Sequence, residues 1–257
     1  MRFDVLTLFP AMFAALTDYG ISGRAYAASL WQLHCWNPRD FTARKTGYVD
    51  DRPFGGGPGM VMQAEPLMAC LAHLEASLGQ RQHRILLTPA AKPARQEDIM
   101  RLAGQASICL IAGRYEGIDQ RFIDREVDEC VSLGDLVVSG GELPAMMLID
   151  AIVRWLPGVL HDEQSAQQDS FVDGLLDCPH YTRPESWEGI EVPSVLLGGH
   201  HDAISRWRRN AALTNTARVR PDLINQARSN NLLSAEDERL MARLQAGRSA
   251  SDPRPND

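Results

Sequence analysis

Short apolar runs alternate with amphipathic stretches along about the first 160 residues of the chain. Residues 107–112 (SICLIA) form an almost unbroken apolar run of strand length, whereas residues 66–78 carry apolar side chains at helical spacing. The pattern predicts strands at residues 3–8, 31–36, 84–88, 107–112, 130–133 and 136–139, and helices at residues 66–78, 96–103, 118–127 and 144–155. Because strands and helices alternate in this way, we expect an α/β domain with a mostly parallel sheet.

The pattern changes in the second part of the chain. Beyond residue 189 the apolar residues recur mainly at helical spacing, which predicts helices at residues 194–197, 202–213, 222–227 and 235–246. We therefore expect α/β architecture followed by a small, mostly helical C-terminal domain. The predicted segments are an α/β domain at residues 1–156, a linker or lid at 157–175, a helical domain at 176–246 and a disordered tail at 247–257.

Composition narrows the class of protein. The chain has 257 residues, of which 44% are hydrophobic and 23% charged, and these values exclude disordered and low-complexity proteins. Five widely spaced cysteines without a Cys-x-x-Cys pair indicate reduced thiols rather than a disulfide framework. We see neither a signal peptide nor an apolar stretch long enough to cross a membrane. The expectation is a soluble, cytoplasmic protein without a membrane segment.

Charge is distributed unevenly along the chain. The formal net charge of −7 argues against a protein that coats nucleic acid by bulk charge. Residues 115–150 contain nine acidic and two basic residues, whereas residues 206–228 contain six arginines and one aspartate. The basic segment is either the solvated face of a helix or a surface that faces phosphates. Overall acidity therefore leaves room for a local nucleic-acid-binding surface.

Three of the predicted strands end in turns that contain Gly, Pro or Thr, at residues 88–89, 113–117 and 139–142. Ligands of open α/β sheets bind beyond the carboxyl ends of the strands, and glycines there let the backbone approach them closely. No Gly-x-Gly-x-x-Gly follows the first strand and no Gly-Lys-Ser/Thr is present, so neither a dinucleotide nor a nucleoside triphosphate is indicated. The glycine run at residues 55–59 is either a flexible loop or one that closes over a bound group.

Individual charged residues are ambiguous when taken alone. Asp150 and Arg154 stand four residues apart on a predicted helix, where an ion pair worth about 0.2–0.5 kcal/mol would account for both. Asp169 has the ordinary alternative of a helix cap or a turn residue. The adjacent His200 and His201 lack partner ligands at suitable spacing, so a structural metal site is not expected.

Several longer segments are more specific than any of these short patterns. They are Leu8-Phe9-Pro10, Cys35-Trp36-Asn37-Pro38-Arg39-Asp40, residues 49–60, residues 113–119, Gly140-Gly141-Glu142-Leu143-Pro144, residues 174–184 (GLLDCPHYTRP), Gly199-His200-His201 and Trp207-Arg208. Through these segments the chain resembles the bacterial tRNA (guanine-N1)-methyltransferases of the SPOUT superfamily over roughly residues 1–245. The resemblance implies an enzyme that transfers a methyl group from S-adenosylmethionine to N1 of the guanosine at tRNA position 37, next to the anticodon.

The resemblance also implies a fold and a cofactor site. It implies a deep trefoil knot in the α/β domain, which general topology rules would not suggest, and a homodimer in which the partner's linker completes each site. The implied cofactor residues are Thr88, Pro89, Gly113, Tyr115, Glu116, Leu133, Leu136, Val138, Gly140, Gly141 and Pro144. Leu136 departs from the family pattern, where Tyr is expected, and this change is expected to alter a wall of the cofactor site.

The remaining implied roles concern the substrate. Asp169 matches the family's general base and Arg154 the cation beside it. The implied substrate-binding residues are Gly59, Ser165, Ser170, His180, Arg183, Arg208 and Arg209. Mg²⁺ is implied by the family, but no ligand set in the sequence identifies its position. The alternatives are a SPOUT enzyme that acts on ribosomal RNA, which would carry an arginine in the first cofactor loop, and a non-catalytic RNA-binding protein, which would not need Asp169 and Arg154 together.

Overall fold

The computed structural model describes residues 1–162 and 164–251, and the chain divides into two compact units at residues 1–163 and 164–257. This division falls within the segment 157–175 that the sequence predicts as a linker. Glu163 of that segment lies outside the described residues, as do residues 252–257 of the predicted tail. Residues 247–251 of the tail continue the last helix.

Unit 1 is built on a five-stranded sheet in which every neighbouring pair of strands is parallel. The strands of the chain are β1 (Arg2–Leu6), β2 (Gln32–Trp36), β3 (Asp50–Asp51), β4 (Val61–Met62), β5 (His83–Leu87), β6 (Ser107–Ala112), β7 (Glu129–Val131), β8 (Ser186–Trp187) and β9 (Ile190–Glu191). The sheet has the order β2-β1-β6-β5-β7, whereas β3-β4 and β8-β9 are separate antiparallel pairs. The prediction of an α/β domain with a parallel sheet is confirmed.

The helices follow the predicted pattern closely in unit 1. They are α1 (Ala14–Thr17), α2 (Gly20–Ala27), α3 (Ala64–Leu78), α4 (Gln96–Ala103), α5 (Gln120–Glu126), α6 (Glu142–Val153), α7 (Gln164–Gln167), α8 (His201–Val219), α9 (Pro221–Ser229) and α10 (Ala235–Ser251), with short 3₁₀ turns at Pro10–Phe13, Pro38–Phe41 and Ser194–Leu196. Helix α5 begins two residues later than predicted because the Asp119 side chain accepts a hydrogen bond from the Arg121 amide and caps the helix.

The strand predicted at residues 136–139 is wrong. Strand β7 ends at Val131, and the hydroxyl of Ser132 then exchanges hydrogen bonds with Gly134, whose φ of +138° turns the chain away from the sheet. Leu136 and Val137 are 59% and 84% exposed. The apolar pattern here therefore reflects an exposed apolar loop rather than a buried strand.

The sheet of unit 1 is covered on both faces, because alternate residues of each strand point to opposite sides. One face packs against α6, with Val5, Leu87 and Leu110 among its buried residues. The other face packs against α3, and Leu86 and Ile111 lie on that side. Covering both faces leaves the ends of the strands as the accessible part of the sheet, and the carboxyl ends of β5, β6 and β7 are neighbours there.

Unit 2 has its own small core, formed by helices α8, α9 and α10. Its buried apolar residues are Leu175, Leu213, Ile224, Ala227 and Met241. Among the described residues, no helix has both the length and the apolarity needed to cross a membrane.

Candidate active site

Three loops meet beyond the carboxyl ends of β5, β6 and β7. The Thr88 amide donates a 3.0 Å hydrogen bond to the Val131 carbonyl, which joins the end of β5 to the end of β7. The Gly141 amide donates a 2.8 Å bond to the Gly113 carbonyl, which joins the loop after β6 to the start of α6. The structure thus brings together the loops that carry the sequence-predicted cofactor residues.

Gly141 lies where two segments of backbone touch. A Cβ atom at this position would stand 2.7 Å from the Ala112 Cα atom and 2.9 Å from the Gly113 amide nitrogen. Backbone atoms cannot move aside as a flexible side chain can, so only glycine permits this approach. Pro144 follows in the first turn of α6, where a missing amide costs little.

Arg114, Glu142 and Thr7 form a buried polar chain that the sequence interpretation did not single out. Glu142 is fully buried; it accepts a 2.7 Å bond from Arg114 Nε and a 2.9 Å bond from the Thr7 hydroxyl. The charged pair joins the loop after β6 to the first residue of α6. Both residues lie in glycine-containing turns of the sequence, but nothing in those turns indicates that they pair with each other.

The Arg114 guanidinium is held on several sides. It donates a 3.0 Å bond to the Ser139 carbonyl and lies over the Phe9 ring, 4.4 Å from the ring centre. A Cβ atom at position 140 would stand only 2.2 Å from Arg114 Nε. Gly140 therefore leaves the space through which the arginine reaches Glu142.

Apolar side chains line the exposed side of these loops. Leu136 and Val138 are exposed, and Leu133 is half-buried against the core. Tyr115, which adopts a φ of +61°, is also partly exposed. Burial raises the pKa of the Tyr115 phenol, and the nearby Asp50 carboxylate raises this pKa further. The Arg39 guanidinium acts in the opposite direction, but the pKa remains raised.

The glycine-rich loop ends directly against the loop after β6. A Cβ atom on Gly59, whose φ is +80°, would stand 2.4 Å from the Glu116 side chain. The Glu116 amide donates a 2.9 Å bond to the Met60 carbonyl, and the Met62 amide donates a 2.9 Å bond to the Gly117 carbonyl. A residue predicted to bind substrate and one predicted to bind cofactor are thus neighbours in unit 1.

The two residues expected to act in catalysis belong to different units. Arg154 is half-buried at the carboxyl end of α6, where its amide donates to the Asp150 carbonyl at 3.3 Å. Asp169 lies in unit 2, at the start of a loop that follows α7. Ser165 is exposed on α7 itself.

The loop that begins at Asp169 is anchored within unit 2. The Phe171 amide donates a 2.6 Å bond to the carbonyl of Leu175, and Leu175 is buried in the helical core. The Ser170 hydroxyl accepts a 2.9 Å bond from the Asp177 amide. These bonds fix the backbone around Asp169 relative to the segment that contains His180.

His180 is paired with a carboxylate in the same segment. Its Nε2 atom lies 2.8 Å from Asp177 Oδ2. Burial acts to raise the pKa of Asp177, but hydrogen bonds from His180 and from the Cys178 amide outweigh burial, so the pKa of this carboxyl is lowered. The donor atoms of Asp177, Cys178 and His180 lie within 4.8 Å of one another. This set offers one carboxylate beside a thiol and an imidazole, and it does not fit Mg²⁺, which prefers oxygen ligands.

The predicted arginines of unit 2 differ in their surroundings. Arg209 is engaged by two carboxylates, Asp173 at 2.7 Å and Asp237 at 3.2 Å. Arg208 is exposed and lies near Cys178, whereas Arg183 is exposed in a loop. The structure thus gives Arg209 a role within the helical unit and leaves Arg208 and Arg183 at the surface.

Comparison with known proteins identifies the family of the chain. The sequence model of a family described as "tRNA (Guanine-1)-methyltransferase TrmD" matches residues 1–226. A protein of Cupriavidus metallidurans named tRNA (guanine-N(1)-)-methyltransferase is 59% identical over 251 residues, which cover 96% of each chain.

Further relatives carry the same name. The protein of Ralstonia nicotianae is 59% identical over 243 residues, covering 94% of this chain and 93% of its own. That of Cupriavidus taiwanensis is 56% identical over 261 residues, covering 99% of this chain and 100% of its own. The family match at residues 1–226 covers all three loops at the carboxyl ends of the strands. The chain belongs to the tRNA (guanine-1)-methyltransferase TrmD family.

Proposed function

We propose that this protein methylates N1 of the guanosine at position 37 of tRNA, next to the anticodon, with S-adenosylmethionine as the methyl donor. Membership of the family and the names of its relatives support the reaction. The observation that carries the proposal is the junction of the loops at the carboxyl ends of β5, β6 and β7 in unit 1, where the Arg114–Glu142 pair joins the loop after β6 to the start of α6.

The loops fit the donor chemically. Glycines at 113, 140 and 141 keep side chains away from the junction, while Leu136, Val138 and Tyr115 offer apolar and aromatic surface for an adenosine group. The residues proposed to hold the donor are Thr88, Pro89, Gly113, Tyr115, Glu116, Leu133, Leu136, Val138, Gly140, Gly141 and Pro144. When bound, the donor supplies a methyl group on a sulfonium, which can be displaced directly.

The protein's own groups must activate the guanine. Guanine N1 carries a proton at neutral pH and is a poor nucleophile until that proton is removed, a role proposed for the Asp169 carboxylate. As the proton leaves, negative charge grows on the guanine oxygen, and the proposed role of Arg154 is to stabilise that charge. The donor and acceptor need only alignment, without a covalent enzyme intermediate.

A homodimer would bring the proposed groups of the two units together, with the partner's linker completing each site. Support comes from α6, where Leu143 and Met147 are exposed four residues apart on one face. An exposed apolar stripe of this kind is typical of an interface.

The trefoil knot is also part of the proposal. Gly141 passes against the backbone of Ala112 and Gly113, and α6 then enters the core beside the sheet. This close crossing supports a chain that threads through the loop before it.

The tRNA is proposed to contact both units, through Gly59 of the glycine-rich loop and through Ser165, Ser170, His180, Arg183, Arg208 and Arg209 of unit 2. The exposed Tyr181 ring lies 6.1 Å, centre to centre, from the half-buried Trp207 ring and offers stacking surface for unpaired bases. The family resemblance implies Mg²⁺, and no step of the proposed transfer is assigned to it. A cytoplasmic location is part of the proposal, and it is supported by the tRNA substrate and by five free cysteine thiols.

The decisive experiment measures methyl transfer from S-adenosylmethionine to a tRNA transcript with guanosine at position 37. Nuclease digestion and mass spectrometry should find N1-methylguanosine in that transcript and none in one with adenosine at the same position. Asp169→Asn should lower kcat by roughly 10²–10⁴-fold, the usual contribution of a general base, with little change in donor affinity.

Two results would contradict the proposal. An inactive wild type with a folded chain would reject the reaction, and a fully active Asp169→Asn variant would reject the assigned base. Ribosomal RNA serves as the control substrate, because methylation of it instead would favour the alternative SPOUT activity.

A further inference from the structure

A basic groove is lined by residues of helices α8 and α10 of unit 2. It encloses about 470 Å³. The residues that line it are Arg206, Asn210, Glu236, Arg239, Leu240 and Arg243. Arg206 and Asn210 are four residues apart on α8, and Arg239 and Arg243 are four apart on α10, so each pair lies on one face of its helix.

The other arginines of the basic segment 206–228 are mostly engaged by carboxylates. Arg220 makes two bonds to Asp222, of 2.9 and 2.6 Å, and Arg228 makes two to Glu238, of 2.7 and 2.8 Å. Arg209 is shared between Asp173 and Asp237. Each of these three guanidinium groups is therefore already bonded to at least one carboxylate.

The groove arginines have no such partners. Among residues 1–162 and 164–251, no carboxylate within 4.0 Å pairs with Arg206, Arg239 or Arg243. The Nε atoms of Arg239 and Arg243 donate to backbone carbonyls of their own helix, at 3.0 and 3.3 Å. That leaves the terminal guanidinium nitrogens of both side chains available in the groove.

We propose that this groove binds the phosphate backbone of the tRNA substrate. The inference rests on the proposed function and deepens it. Three arginines against Glu236 give the groove a net charge of +2, and planar guanidinium groups bind phosphate oxygens in pairs. Leu240 is the single apolar residue of the lining, so the surface fits a polyanion rather than a membrane.

The proposal separates the groove from the rest of the basic segment. Arg239 and Arg243 lie beyond residue 226, where the family match ends, whereas Arg220 and Arg228 lie within or next to it.

Each phosphate neutralised contributes about 0.7–0.9 to the slope of log K against log salt concentration. Two groove arginines should therefore account for about 1.5 units of that slope.

The test compares two full-length double variants that each lose two positive charges from unit 2. R239Q/R243Q removes groove charges, and R220Q/R228Q removes charges already paired with carboxylates. Binding of the tRNA transcript is measured by fluorescence anisotropy at several salt concentrations, with circular dichroism to verify folding. R239Q/R243Q should weaken binding and flatten the slope by about 1.5 units, while R220Q/R228Q should leave both close to wild type.

Several outcomes would overturn the inference. Equal slopes for both variants would mean that bulk charge, not the groove, binds the RNA. A larger effect from R220Q/R228Q would mean that the phosphates bind near Arg220 and Arg228 instead of in the groove. Under the proposal, R239Q/R243Q raises the KM for tRNA and leaves kcat at saturating tRNA unchanged. Failure of the wild type to methylate tRNA would reject the proposed function instead, and that result is read from activity rather than from the salt slope.

Discussion

Glu142 is a carboxylate with no solvent exposure, and its neutralisation depends on one residue, Arg114. Removing one partner of a buried ion pair leaves the other charge without compensation, which costs roughly 3–5 kcal/mol. We expect Arg114→Ala to lower the free energy of unfolding by about that amount. We also expect it to weaken binding of S-adenosylhomocysteine, because Arg114 holds the loops after β6 and before α6 together. Urea unfolding and calorimetric titration measure the two effects.

Thr7→Val provides the milder comparison at the same site. It removes the hydroxyl that donates to Glu142 but keeps the shape of the side chain, and a lost hydrogen bond of this kind costs about 1–3 kcal/mol. Arg114→Lys retains the charge and should recover part of the ligand affinity. If Arg114→Ala binds the ligand as tightly as wild type, Arg114 has no positioning role in the site.

At the level of elements, α6 links the core of unit 1 to the proposed dimer. Its buried side carries Leu148 and Ile152, while Met147 on the other side is 61% exposed. A glutamate at position 147 would place a charge in the interface, so we expect Met147→Glu to shift the protein from dimer to monomer and to abolish methyl transfer. Sedimentation velocity measures the mass.

Met100 on α4 offers a matched control, since it is a methionine of 43% exposure on another helix. Met100→Glu should leave the sedimentation coefficient unchanged. A monomeric wild type, or a dimer that tolerates Met147→Glu, would contradict the proposed interface.

Strands and helices were predictable from the sequence where the burial of their residues agrees with the apolar pattern. Strand β6 and helix α4 have the predicted bounds, because the first is an apolar run in the centre of the sheet and the second alternates apolar and charged residues at helical spacing. Residues 136–139 have the same local composition as a short strand but face solvent. The identity of these residues does not determine whether their side chains are buried or exposed. Apolar pattern alone cannot distinguish a core strand from an exposed binding loop.

At the scale of the whole molecule, the net charge of −7 describes neither unit well. The basic segment at residues 206–228 is visible in the sequence, but the pairing of Arg209, Arg220 and Arg228 with carboxylates is not. Two of the partners, Asp237 and Glu238, lie beyond the segment and come close only in the fold. Two loops of the site were predictable from their glycines, and the loop after β5 was predictable from Thr88 and Pro89. The Arg114–Glu142 pair was not, because it depends on contacts between residues 28 positions apart.

Carboxylates throughout the molecule also determine how it responds to acid. Asp4 is fully buried, and burial acts to raise its pKa, but hydrogen bonds from Arg2, Trp36 and Gln82 outweigh burial and lower this pKa below the ordinary 3.8. Hydrogen bonds, most of them from arginines, likewise lower the pKa of other carboxyls. They are Asp51, Asp119, Asp128, Asp177, Asp222, Asp237 and Glu238.

A lowered pKa in the folded state means that the unfolded chain binds more protons in the acid range, so acid favours unfolding. The stabilisation from these groups should be complete above about pH 5 and should be lost as the pH falls through their folded pKa values. Urea midpoints at a series of pH values between 3 and 7 should therefore fall toward the acid end. Asp4→Asn should flatten this dependence more than Asp222→Asn, because Asp222 is exposed and its ion pair with Arg220 lies at the surface. Equal midpoints at pH 3 and pH 7, or equal slopes for the two variants, would show that the Asp4 hydrogen bonds do not contribute to stability in this way.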